Sequence, residues 1–202
     1  RGEGMDGLYP VFLSIKDQKC LVIGGGTVAE RKVASLLECG AKVKVVAPEI
    51  TPELKKRVLA KDVEYEQRLY ETEDLDGLTV GRSLIFVATN DPAVNQRVHR
   101  EGINRGFLVN VVDDPPHCSF YVPSIIRRGA LCVAISTAGK SPMLARKIRE
   151  KLEKEFGPEY AEYLEVLGDC RQEILRHIPE EKERRRIFEQ LVDSDLLELI
   201  RN

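Results

Sequence analysis

The chain has 202 residues, of which 43% are hydrophobic and 32% charged, with a formal net charge of -2. That supplies a sizeable core for one domain or two small ones, and it gives no ground for general nucleic-acid binding. No apolar run reaches transmembrane length and no secretory leader pattern is present, so a cytoplasmic protein without membrane or nucleic-acid partners is expected.

Arg1 to Gly4 precede Met5 and are set aside. The first strand is expected at Lys19-Cys20-Leu21-Val22-Ile23, an unbroken apolar run after its first residue. It leads into Gly24-Gly25-Gly26-Thr27-Val28-Ala29, which fits G-x-G-x-x-A, and then into a helix over 28–39 that stops at Gly40. Strand and helix on either side are the context this motif requires. Gly24 permits the tight turn, Gly26 lets the backbone approach a pyrophosphate, and Ala29 lets the helix pack on the sheet. The helix N-terminus offers N–H groups to the anion. A dinucleotide-binding loop is therefore expected, against the alternative of a ligand-free glycine turn.

A second strand is expected over 43–46, and a helix over 52–60 capped by Thr51. The second strand ends at Ala47-Pro48-Glu49. Glu49 lies a few residues later than the simplest template for a ribose-binding carboxylate, so it reads either as that group or as a solvated loop charge. No basic residue stands at 47–48 to hold a 2′-phosphate, which favours NAD over NADP. A short third strand is expected over 63–67 and a fully apolar, central fourth over 84–88. Thr89 and Asn90 end the fourth strand at the edge where such sheets bind ligands, and also suit a turn before a helix over 92–105 capped by Asp91. A fifth strand over 108–112 ends at Asp113. That carboxylate reads equally as a proton acceptor beside a nicotinamide site and as an Asx-type turn before Pro115-Pro116. Its neighbour Asp114 is expected to face the other way, as on an extended segment.

After Asp113 the strand–helix alternation stops. Strands are expected over 120–126 and 131–136, joined by Arg127-Arg128-Gly129, and helices fill the remainder, with breaks near Pro158, Pro179 and Asp193. The loop Ser136-Thr137-Ala138-Gly139-Lys140-Ser141-Pro142 is rich in hydroxyls and donors, and Arg146 follows it. It reads as a well-capped helix start or as a site for a carboxylate-rich ligand. The five cysteines are widely spaced and the three histidines lack ligand spacing, so neither a disulfide framework nor a metal site is expected.

Several stretches together carry a resemblance. They are Leu8-Tyr9-Pro10-Val11-Phe12-Leu13, Val22-Ile23-Gly24-Gly25-Gly26-Thr27-Val28-Ala29-Glu30-Arg31-Lys32, Ala88-Thr89-Asn90-Asp91, Asn95-Gln96-Arg97-Val98, Asn110-Val111-Val112-Asp113, Ser119-Phe120, Val122-Pro123-Ser124-Ile125-Ile126 and the loop 136–142. In this order and spacing, from about 8 to about 152, the chain resembles the precorrin-2 dehydrogenase family, the counterpart of the N-terminal module of sirohaem synthase. The resemblance implies an α/β fold: a Rossmann-type parallel sheet, a small β-containing dimerisation region and a C-terminal helical domain, assigned to 5–113, 114–142 and 143–202. It implies a homodimer that oxidises precorrin-2 to sirohydrochlorin with NAD, towards sirohaem, and in some members also inserts ferrous iron. No methyltransferase domain follows Asn202, so the precursor is expected to be made elsewhere. By the same resemblance Asp113 falls on the family's essential aspartate, while Thr27, Val28, Pro48 and Glu49 line the NAD site; Gly24 and Gly26 are expected there from the motif, and Thr89 and Asn90 from their place at the sheet edge. Thr137 falls where some members carry a serine beside the tetrapyrrole pocket. Expected substrate contacts are Ser124, Thr137, Lys140, Ser141 and Arg146. The reading from a different class is a non-catalytic NAD-sensing Rossmann module, in which Asp113 is dispensable.

Overall fold

In the computed structural model, which describes residues 7–201, the apolar runs of the first half form one parallel sheet. Met5 and Asp6, at the start of the expected first domain, and Asn202, at the end of the last, lie outside the described residues. The strands are β1 (Lys19–Ile23), β2 (Lys42–Val46), β3 (Val63–Glu66), β4 (Leu84–Val87) and β5 (Leu108–Val111), in the order β3-β2-β1-β4-β5. Helices α1 (Thr27–Glu38), α2 (Pro52–Leu59) and α3 (Pro92–Asn104) make the crossovers, except between β3 and β4, where a 3-10 turn at Thr72–Leu75 takes the place of a helix.

Alternation of side chains sends the apolar residues of β1, β2 and β4 to both faces, and both are covered. Cys20, Val22, Val43 and Val45 pack with Ala29, Val33 and Leu36 of α1 and Leu54 of α2. Leu21, Ile23, Ile85, Val87, Val109 and Val111 pack on the opposite side with Val98 of α3 and Leu75. The register pairs Ile23 with Val46 and with Val87, and Val87 with Val111. The carboxyl ends of four strands are therefore level, and the loops that follow them share one edge.

By its contacts the chain divides into two compact units, 1–121 and 122–202. The Asp114-Pro115-Pro116 break forms a 3-10 turn at Pro115–His117, after which the chain runs back along the first sheet. Asn110 bridges Cys118 antiparallel, and the Ser119 N–H donates to the Val109 carbonyl at 2.8 Å. Phe120, expected to open a strand of the second sheet, instead packs edge-on against Phe86 with ring centroids 5.3 Å apart.

The second unit holds an antiparallel hairpin, β6 (Ser124–Arg128) and β7 (Leu131–Ile135). Arg127 pairs with Cys132 and Arg128 with Leu131, so the turn is Gly129-Ala130 and not the expected 127–129. Gly129 makes it possible, with φ of 55°. Four helices follow: α4 (Pro142–Glu155), α5 (Glu159–His177), α6 (Glu181–Val192) and α7 (Leu196–Arg201), interrupted near Pro158, Pro179 and Asp193 as expected. The Arg128 Nε donates to the Phe156 carbonyl at 2.9 Å, and Arg201 pairs with Glu159 at 2.8 Å. Among the described residues no helix is long and apolar enough to cross a membrane.

Candidate active site

The three glycines between β1 and α1 do different work. Gly24 has φ of 117°, and a Cβ there would lie 2.3 Å from the Ala88 carbonyl oxygen. At Gly25 a Cβ would lie 1.9 Å from the Glu49 carbonyl oxygen. Both are held by the chain itself: the Gly24 N–H donates to the Val46 carbonyl at 3.0 Å, and the Gly25 carbonyl accepts from the Thr51 N–H at 3.0 Å. Gly26 differs, because a Cβ there would meet nothing within 4 Å. No protein neighbour demands glycine at 26, which leaves room for a group brought to the helix end. Gly26 is also the N-cap of α1 and makes no side-chain cap bond, so the first-turn N–H groups of Thr27 and Val28 face an open approach. The loop thus fits a dinucleotide pyrophosphate.

Two further loops meet at this edge. After β2, Pro48 and Glu49 are exposed. The Tyr65 hydroxyl donates to the Ala47 carbonyl at 3.0 Å, and burial followed by the Glu49 carboxylate pushes its pKa up. Thr51 caps α2 by accepting from the Leu54 N–H at 3.2 Å, while its hydroxyl donates to Glu30 of α1 at 2.6 Å. The segment bearing Glu49 is thereby tied to the helix that carries the glycine loop. After β4, the Thr89 hydroxyl donates to Asn95 Oδ1 at 2.5 Å, and Asn95 Nδ2 donates back to the Thr89 carbonyl at 3.1 Å. Asp91 caps α3 through Ala93 and Val94. Thr89 is thus a turn residue with its hydroxyl engaged, whereas Asn90 is exposed at the edge.

Asp113 is exposed and has φ of 60°, in the left-handed region that Asp tolerates better than most residues. The segment is therefore a turn, one of the two readings left open for Asp113 before Pro115-Pro116, and not the extended segment on which Asp113 and Asp114 were expected to alternate. Asp113 lines a cleft of about 220 Å³ with Val112 and with Val28, Arg31, Lys32 and Ser35 of α1. Asp114 turns away, and its Oδ2 lies 2.8 Å from His117 Nδ1. His117 packs edge-on against His99 of α3, with ring centroids 4.8 Å apart. Burial, then His117, lowers the pKa of His99. Sequence reading assigned no role to Lys32 or to this histidine pair. The signal for Lys32 was present in the spacing 28, 31, 32, 35, which puts those residues on one helix face.

The sequence-named residues of the second unit cluster around the start of α4. Ser141 caps that helix, accepting from the Leu144 N–H at 3.2 Å. Thr137 Oγ1 accepts from the Ser141 N–H at 3.2 Å, and the turn between them uses Ala138 and Gly139 at positive φ. Lys140 is exposed, and Arg146 is engaged with Glu150 at 2.8 Å on the helix surface. Ser124 lies at the first position of β6, opposite Ile135. The capping reading of this loop is thus realised in its hydrogen bonds. Among the described residues no group of three or more His, Cys, Asp or Glu side chains converges as a metal site.

A parallel sheet in the order 3-2-1-4-5, with a glycine loop and helix N-terminus at its level carboxyl edge, defines a Rossmann-type dinucleotide-binding protein. Residues 11–124 match a family model described as putative NAD(P)-binding, 128–155 one described as sirohaem biosynthesis protein central, and 159–202 one described as sirohaem synthase dimerisation region. The last falls on α5 to α7, beyond the 114–142 segment in which self-pairing is expected. The Siroheme synthase of Photorhabdus laumondii is 41% identical over 193 residues, which are 96% of this chain and 40% of that protein. That of Zymomonas mobilis is 40% identical over 180 residues, 89% of this chain and 37% of that protein. The chain therefore spans about 40% of the length of these relatives. A solved structure, SirC, precorrin-2 dehydrogenase, superposes with a TM-score of 0.79 at 31% identity, covering 94% of this chain and 92% of that one. The chain belongs to the family of precorrin-2 dehydrogenase and the NAD(P)-binding part of sirohaem synthase.

Proposed function

We propose that this protein is a cytoplasmic homodimer that oxidises precorrin-2 to sirohydrochlorin with NAD. The observation that carries the chemistry is Asp113, an exposed carboxylate lining a cleft along α1, the helix whose N-terminus carries the glycine loop. The backbone of Gly24, Gly26, Thr27 and Val28 holds the pyrophosphate, Pro48 and Glu49 border the adenosine ribose, and Thr89 and Asn90 border the nicotinamide end. NAD, when bound, supplies the hydride acceptor. Asp113 accepts the proton that the substrate gives up. Its left-handed backbone directs the carboxylate to the cleft while Asp114 is occupied with His117.

For the second unit we propose substrate contacts at Ser124, Thr137, Lys140, Ser141 and Arg146. Precorrin-2 is a polycarboxylate, and charge-assisted hydrogen bonds from Lys140, Arg146 and the loop hydroxyls suit such a ligand. The Arg146–Glu150 pair is a solvent-exposed i,i+4 bridge of little net strength, so a substrate carboxylate displaces Glu150 at small cost.

The test is a pair of substitutions. Asp113→Ala lowers turnover by about 10²–10⁴-fold, the usual contribution of a general base, and leaves NAD affinity unchanged. Asp114→Ala frees His117 but leaves turnover within a small factor of the parent. Near-parental turnover of Asp113→Ala removes the catalytic assignment, and if it still binds NAD the sensor reading takes its place.

A further inference from the structure

Two cations on α1 have no role in the reading above. Arg31 and Lys32 line the same cleft as Asp113, on the stripe formed with Val28 and Ser35. The neighbouring stripe, Ala29, Val33 and Leu36, is the buried one. Among the described residues neither cation has an ion-pair partner, whereas Arg68, Arg97 and Arg105 are all matched to carboxylates at 2.7–2.9 Å. Lys32 is half-buried, with its ammonium 5.3 Å from the centre of the Phe86 ring. Burial, then the charge of Arg31, holds its pKa below the ordinary lysine range, while Asp113 and Cys118 act in the opposite sense. A half-desolvated cation beside a second cation is an unfavourable arrangement unless an anion completes it.

We infer that Arg31 and Lys32 form a carboxylate-binding subsite that holds one acidic side chain of the substrate beside Asp113. This rests on the reading proposed above. The cleft carries two cations against one carboxylate, so its balance favours an anion. The dinucleotide's pyrophosphate is taken by the first-turn N–H groups of α1, whereas Arg31 and Lys32 stand one turn further along the helix and on the side facing the end of β5. A substrate acid anchored here brings a neighbouring ring carbon to Asp113. The subsite thereby sets which part of the substrate meets the base.

The experiment compares the intact chain with Lys32→Gln, Arg31→Gln and Lys32→Arg under anaerobic conditions. Loss of a charge-assisted hydrogen bond raises KM for precorrin-2 about tenfold or more in each Gln variant, with a smaller change in kcat, because the contact binds ground and transition states alike. Lys32→Arg retains most of the parental KM. NAD affinity, measured by calorimetry on the same samples, stays at the parental value. Equilibrium titration with sirohydrochlorin gives a readout independent of turnover and weakens by the same factor. If the parent fails to oxidise precorrin-2, the proposed function falls, while the titration still decides the subsite. Parental sirohydrochlorin affinity in both Gln variants overturns it, and so does a loss of NAD affinity equal to the rise in KM, which makes the pair a cofactor contact. Arg31→Gln changes an exposed side chain and keeps the test readable if the Lys32 variants are poorly folded.

Discussion

At Gly26 a Cβ would meet no protein atom within 4 Å, whereas the chain's own backbone crowds Gly24 and Gly25. The proposed cofactor site uses the room left at Gly26. Gly26→Asp therefore leaves a folded protein and abolishes NAD binding, since a side chain and a negative charge occupy the approach to the helix end. Calorimetry on a variant with an unchanged melting temperature checks this, and parental affinity removes the cofactor site from the loop. The motif spacing was readable in the sequence because strand, loop and helix are contiguous. The clash that excludes a side chain at Gly25 was not, because it comes from the Glu49 carbonyl on another strand's loop. Asp113 was readable as an edge carboxylate. A turn before Pro115-Pro116 was readable too; the left-handed backbone at Asp113, which separates it from Asp114, was not.

Among the elements, the segment between β3 and β4 shows how the sheet tolerates a missing crossover helix. Its anchor is Asp74, 3% exposed, which accepts from Lys44 Nζ at 2.8 Å, from both Arg68 guanidinium nitrogens at 2.7 and 2.8 Å, and from the Glu71 N–H at 3.0 Å. Burial raises its pKa, but the bonds from Arg68, Lys44 and the backbone outweigh that and hold the carboxyl well below the usual carboxylate range. A carboxylate depressed in the folded state stabilises fully above its unfolded pKa of about 3.9 and loses that contribution as pH falls below it. Asp74→Asn removes the shared charge partner of Lys44 and Arg68, both partly exposed, and destabilises by about 1–3 kcal/mol at neutral pH. Denaturant titrations of the two proteins should converge as pH drops from about 5 towards 2. A pH-independent difference means that packing, not charge, is what Asp74 supplies. Sequence periodicity located the strands and helices here to within a residue or two, because apolar alternation reports burial directly. It missed the Lys44–Asp74–Arg68 cluster, since charged residues in a loop look alike whether they are solvated or converge on one buried carboxylate.

For the whole molecule, the β6–β7 hairpin is a two-stranded sheet that already packs against α4 and α5 within one chain and buries Ile126 there. The reason to expect self-association is therefore the match of α5 to α7 to a dimerisation region. The expected outcome is a dimer at micromolar concentration by light scattering; a monomer there contradicts it. The sequence announced the alternating first half and the helical second half. It misjudged where the chain leaves the first sheet, because Cys118, Ser119 and Phe120 return to β5 through backbone bonds that no hydrophobic pattern encodes.

The reaction itself is open to one decisive measurement: anaerobic incubation of the purified chain with precorrin-2 and NAD, following sirohydrochlorin and NADH together. The two products rise in a one-to-one ratio, much faster with NAD than with NADP, and neither rises with Asp113→Ala beyond the slow background. Sirohydrochlorin appearing no faster than in the absence of protein, in a sample that binds NAD, means the dinucleotide site serves another reaction.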